Sequence, residues 1–116
     1  MRATLIGIVG LLVTGVVLVA QAPDPAKVAA GQKAYATVKC DTCHAIAGKG
    51  GKLSTALDGV GGKVSEADIR KWLTTPAAME VKLPKKPAMP MSTYLKSHKL
   101  TDADIDALTA YMMSLK

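Results

Sequence analysis

Phenylalanine is absent from this chain, and one Trp and three Tyr are its whole aromatic complement. A chain so poor in large rings has little bulky apolar material from which to build a core. It also lacks the stacking platforms on which single-stranded nucleic acid is held. Cysteine and histidine each occur only twice. A structural zinc site needs four ligands, and Cys40, Cys43, His44 and His98 are the only Cys and His residues to draw on. No internal repeat is visible, and no segment alternates convincingly as a strand would. The 116 residues suffice for one small domain and not for two.

Charge is missing altogether from "ATLIGIVGLLVTGVVLVA", residues 3–20. As a helix this stretch would be about 27 Å long, close to the ~30 Å hydrocarbon core of a bilayer. It reads as an export signal or a transmembrane anchor within residues 1–22. "AQA", residues 20–22, has the small side chains of a cleavage site. Pro23 after it, and an apolar run longer than a usual signal core, favour a retained anchor. Either way Arg2 stays inside and residues 23–116 are exported. A buried core helix is the poorer reading, because the remainder is too small to wrap a helix apolar all round.

Acidic residues are the scarcer sign: nine Asp and Glu stand against fifteen Lys and Arg, a net charge of +6. Nucleic acid is one partner of such a surface. Export and the lack of aromatics argue against it, so an acidic protein surface is the better match.

Asp24 and Pro25 make an N-cap and first-turn pair for a helix running to about Lys39, with Val28, Gly31, Tyr35 and Val38 along one face. Glycines keep residues 47–62 irregular. "SEAD" from Ser65 starts a short helix with Ile69, Trp72 and Leu73 as its stripe, and Thr75-Pro76 ends it. Residues 76–99 hold four of the six prolines and no clear period. So long an irregular run in a small domain implies a functional loop. Thr101 caps a last helix with Ile105, Leu108, Tyr111, Met112 and Leu115 on one stripe.

The only cysteines lie in "CDTCH", residues 40–44, which is C-x-x-C-H, the c-type haem attachment pattern. Two thiols three residues apart add across the two vinyl groups on one edge of haem. The imidazole of His44 then falls beneath the iron. A thioredoxin-like dithiol would sit on a βαβ pattern, which is absent. A disulfide across two residues closes a tiny loop and stabilises little. A covalent haem also supplies the missing core volume, and the proline-rich loop gains a plate to pack on. For the sixth position, Met112 and Met113 sit on the last helix and Met79 reads as filler. His98 lies between lysines in "KSHKL". Met89, in "KKPAMP", is stiffened by Pro87 and Pro90 and is the leading candidate, with Met91 next.

With "AAGQKAY", "CDTCHAIAGKGG", "ADIRKWLTTP", "KKPAM" and "LTDADIDALTAYMMSLK", residues 26–116 resemble the class I bacterial cytochromes c, the small monohaem type. The resemblance implies an all-α fold: three to five helices wrapped around one covalently bound haem c over residues 23–116. The apolar N-terminal helix would precede them. It implies that the first and last helices cross, Gly31 and Tyr35 meeting Tyr111. It implies Cys40 and Cys43 as attachment points, His44 and Met89 as axial ligands, and Trp72 near the haem propionates. One departure stands out. Where the family often has "GPxL", this chain has Thr55 in place of the proline. A backbone carbonyl needs no proline, so Thr55 remains able to accept the His44 Nδ1–H.

The implied function is single-electron transfer in a respiratory or photosynthetic-type chain, on the periplasmic side of a bacterial inner membrane, with no enzymatic reaction. The protein is anchored through residues 3–20, or soluble in the periplasm if residues 1–22 are removed. Acidic redox partners or membrane respiratory complexes would dock near Lys39, Lys49, Lys52, Lys82, Lys85 and Lys86. The alternatives are a fixed subunit of a larger membrane oxidoreductase, and a haem enzyme or gas binder with an open sixth position.

Overall fold

A computed structural model describes residues 22–116 together with the pair 15 and 16. The hydrophobic helix expected over residues 3–20 falls outside the described residues. Among the described residues, no helix is long and apolar enough to cross a membrane.

Six helices make up the described fold: α1 Pro25–Thr37, α2 Val60–Lys63, α3 Glu66–Thr74, α4 Pro76–Glu80, α5 Met91–Ser97 and α6 Asp102–Ser114. The count exceeds the expected three to five, because three short helices lie where the sequence shows no period: α4, α5 and α2, which starts at Val60 inside the glycine-rich stretch expected to stay irregular. Pro76 does end α3, but it also starts α4. At a first helical position the missing N–H costs nothing and the fixed φ is already helical. Helices of five and seven residues, α4 and α5, are too short to display an apolar repeat.

The caps follow the sequence. Asp24 accepts from the Ala26 N–H at 2.9 Å and Pro25 opens α1. Ser65 accepts from Asp68 N–H at 3.2 Å. Thr101 and Asp104 form a reciprocal box at 3.0 and 3.1 Å. Helix α1 stops at Thr37, two residues short of the expected end, and Lys39 turns into the left-handed region at φ 64°. That turn feeds a short 3₁₀ segment, Cys40–Thr42.

A small hairpin was not evident in the sequence. β1 (Ala45–Ile46) pairs antiparallel with β2 (Lys49–Gly50). Both residues of its turn have positive φ, 52° at Ala47 and 75° at Gly48, as the natural twist of a two-residue hairpin requires. Alanine is strained there, and the Asp58 carboxylate helps to hold it by accepting the Ala47 N–H at 2.8 Å.

Helices α1 and α6 form the principal packing contact. Gly31 makes it possible: a Cβ at that position would lie 2.1 Å from the Ala107 carbonyl oxygen and 2.6 Å from Tyr111 Cβ. Beside this contact the Tyr35 and Tyr111 rings meet edge to face, centroids 5.8 Å apart at 81°. The expected crossing of first and last helices is therefore present, on the residues expected. Helix α2 abuts the end of α6, where Gly61 N–H donates to the Leu115 carbonyl at 2.8 Å and Lys116 Nζ donates to the Gly61 carbonyl at 2.9 Å.

The protein's own core is thin. Among the described residues the buried apolar side chains are Ala34, Ile69, Met79, Ala107, Leu108 and Met112. Met79 is thus filler, as expected. Leu53 (66%), Leu83 (39%) and Met89 (54%) stay largely exposed although all three border one large cavity.

Candidate functional site

The cavity has a volume of about 1000 Å³ and is mainly apolar. Its walls come from all six helices and from the loops between them. Tyr35 of α1, Trp72 of α3, and Leu108 and Met112 of α6 line it. The segment after α1 contributes Cys40, Cys43 and His44, and the loop between α4 and α5 contributes Met89. Residues 45 positions apart in sequence thus share one space.

The geometry of the attachment segment is set by backbone hydrogen bonds. The Cys40 carbonyl accepts from the N–H of both Cys43 (3.2 Å) and His44 (3.0 Å), which winds the motif into one tight turn. Gly50 and Gly51 let the following hairpin lie against it. A Cβ on either would come within 2.2 Å of the His44 or Thr42 carbonyl oxygen. Both thiols are free and half-buried. Burial, more than the neighbouring Asp41 carboxylate, pushes the Cys40 thiol up to about 11.

His44 is held at two points. Its Nδ1 lies 2.7 Å from the Thr55 carbonyl oxygen. A carbonyl can only accept, so Nδ1 carries a proton, and in the neutral ring the lone pair is on Nε2. Tyr35 donates its hydroxyl to the His44 carbonyl at 3.1 Å. Burial drives the Tyr35 phenol up to about 12, so it remains a donor across the physiological range. The Thr55 carbonyl thus meets His44 as expected, without a proline at that position.

The cavity also separates the sulfur and imidazole candidates. Met89, Met91 and Met112 border it. Met112 is buried on α6, as its place in the apolar stripe implied. His98 does not line it. Its ring stacks on Tyr94 at 4.0 Å and 2°, and its Nδ1 lies 3.1 Å from the Tyr94 carbonyl oxygen. Of the six lysines singled out, Lys39, Lys85 and Lys86 line the cavity, while Lys49, Lys52 and Lys82 do not. Lys63 of α2 lines it and escaped notice, since nothing in the sequence joins the glycine-rich stretch to the mouth. Tyr94 and Glu80 escaped notice too. They lie on or at the ends of α4 and α5, two of the short helices that show no period.

Haem fits this chemistry. A large, mostly apolar cavity carries two thiols, an imidazole presenting Nε2, and a thioether on a separate loop. Its volume lies at the upper end of the ~300–1,000 Å³ range of ligand sites. Among the described residues no cluster of three or more His, Cys, Asp or Glu could hold a metal ion by itself. No buried side-chain polar atom among them lacks a partner.

Comparison with known proteins gives a consistent result. The family model described as Cytochrome c matches residues 28–116. No curated protein and no solved structure matches the chain.

Proposed function

The chain belongs to the cytochrome c family, whose members use haem for electron transfer, and from that membership we propose a monohaem, His/Met-ligated single-electron carrier. The observation that carries this reading is the meeting of Cys40, Cys43, His44 and Met89 on one apolar cavity, with His44 held so that Nε2 is the free nitrogen.

Each residue has a distinct task. Cys40 and Cys43 would tether haem c through two thioether bonds. His44 would supply Nε2 as a ligand to the iron, and the Thr55 carbonyl fixes its tautomer and ring orientation. Met89 would hold the group from the separate 81–90 loop with a soft sulfur, which would favour the reduced state and raise the potential. Ile69, Leu108 and Met112 keep water from the cavity wall, which disfavours the extra charge of the oxidised state. When bound, haem supplies one-electron Fe(II)/Fe(III) chemistry. With His44 and Met89 both holding the group, this reading would leave no ligand position for a substrate. The protein is therefore a carrier and not an enzyme.

Lys39, Lys63, Lys85 and Lys86 border the cavity and make its rim basic. Family members interact with redox partner proteins, and an acidic surface on the partner suits this rim. Such encounters are small, short-lived and sensitive to salt. The uncharged apolar run of residues 3–20 supports a domain on the periplasmic side of a bacterial inner membrane, as an anchor or, once cleaved, as an export signal.

The test is optical. The oxidised protein shows the weak far-red sulfur-to-iron band, and Met89→Ala abolishes it. Rapid carbon monoxide binding by the reduced wild-type protein would instead indicate an open sixth position and overturn the reading.

A further inference from the structure

The loop that carries Met89 has almost nothing of its own to hold it. Residues 84–89 make no hydrogen bond to any described residue. Pro84, Pro87 and Pro90 stiffen the loop, yet stiffness does not fix where it sits. Its ends are fixed, and one residue grips both. The Glu80 carbonyl accepts from Leu83 N–H at 3.1 Å, at the entry. The Glu80 carboxylate accepts from Ser92 N–H at 2.8 Å and from Ser92 Oγ at 2.7 Å, at the exit, three residues past Met89. Both are charge-assisted bonds in a partly buried setting, roughly twice as strong as neutral ones.

The helix reached by that carboxylate is tied to the opposite wall. Tyr94 of α5 donates its hydroxyl to the Val38 carbonyl at 2.9 Å and lies 3.3 Å from the Lys39 carbonyl, directly before Cys40. An unbroken mechanical path runs from the attachment segment through Tyr94 and Ser92 to Glu80 and the loop. We infer that Glu80 is a positioning residue, whose double bond to Ser92 latches the 81–90 loop so that Met89 keeps its sulfur over the cavity. The inference rests on the Met89 reading above. Glu80 borders the cavity at the entry of the loop, and both of its carboxylate oxygens are engaged by Ser92, so it acts on Met89 through the loop.

The test uses the loaded, full-length protein with Glu80→Ala, Glu80→Gln and Ser92→Ala. Two readouts apply: the far-red band of the oxidised form, and stopped-flow carbon monoxide binding to the reduced form. Loss of both carboxylate bonds should favour the open loop by at least about tenfold. Glu80→Ala should then bind carbon monoxide at least about tenfold faster than wild type and lose most of the band. Glu80→Gln keeps one acceptor, and Ser92→Ala keeps the backbone bond, so both should fall between the extremes. A wild-type band that survives in Glu80→Ala, with an unchanged binding rate, overturns this inference alone. If Glu80→Ala does not fold, wild-type behaviour in both single-bond variants overturns it equally. A wild-type protein without the band overturns the Met89 reading, and this inference with it.

Discussion

Gly31→Ala sets two physical effects against each other. In a helix interior, Ala is better than Gly by about 1 kcal/mol, so propensity alone predicts stabilisation. The α1–α6 crossing predicts the reverse. The new Cβ would sit 2.1 Å from the Ala107 carbonyl oxygen, where ordinary contact begins near 3.4 Å. The obstacle is backbone, which cannot rotate away, so the helices must separate by roughly the missing ångström. Overpacking costs about 1–3 kcal/mol, and a backbone clash belongs at the top of that range. Subtracting the propensity gain leaves a net loss of about 2 kcal/mol. That is a large share of the ~5–15 kcal/mol that typically holds a domain together. In a domain of this size it lowers Tm by about 8–16 °C. Circular dichroism melting of the haem-loaded protein measures it. Gly62→Ala is the control, since nothing lies within 4 Å of a Cβ there. It should leave Tm unchanged or slightly raised. A Gly31→Ala protein that melts with wild type, or above it, would refute the close crossing. Because α6 also carries Leu108 and Met112 into the cavity wall, the substitution should broaden the haem absorption bands as well.

Thr55→Ala should leave the spectrum intact and change stability by less than about 0.5 kcal/mol, because His44 uses only the backbone carbonyl; an altered axial-ligand signature would show that the side chain matters. Tyr35→Phe removes the donor to the His44 carbonyl and should cost about 1 kcal/mol in denaturant unfolding while keeping the edge-to-face contact with Tyr111. In ultraviolet titration Tyr35 should ionise late, near 12 rather than its ordinary 10.0. The folded value is the raised one, so its stabilising effect is complete below about pH 10 and is lost as pH rises from 10 towards 12; ionisation at the ordinary value would contradict its burial. Electron-transfer rates to an acidic partner should fall as salt rises, and indifference to salt would remove the role given to Lys39, Lys63, Lys85 and Lys86.

How much was legible beforehand varies with the kind of signal. Caps are local chemistry, so Asp24, Ser65 and Thr101 announced their helices correctly. The long helices α1 and α6 carry several turns of pattern, and their crossing residues were found. The attachment motif is five contiguous residues and needed no fold to be seen. The hairpin at Ala45–Gly50 was missed because its turn is Ala47-Gly48 and not Asn-Gly, and its support comes from the distant Asp58. Helices α2, α4 and α5 were missed because each is shorter than the window in which a 3.6-residue period shows. With them went Glu80 and Tyr94, whose partners, Ser92 and the Val38 and Lys39 carbonyls, are 12 to 56 residues away. Long-range hydrogen bonds leave no local trace in a sequence.

The central claim is that this polypeptide completes its core with a covalently attached porphyrin. Intact mass spectrometry of the purified protein under denaturing conditions addresses it directly. The account predicts one haem per chain, retained after unfolding and acid extraction, with neither Cys40 nor Cys43 open to alkylation. A bare polypeptide mass with both thiols alkylated would contradict it.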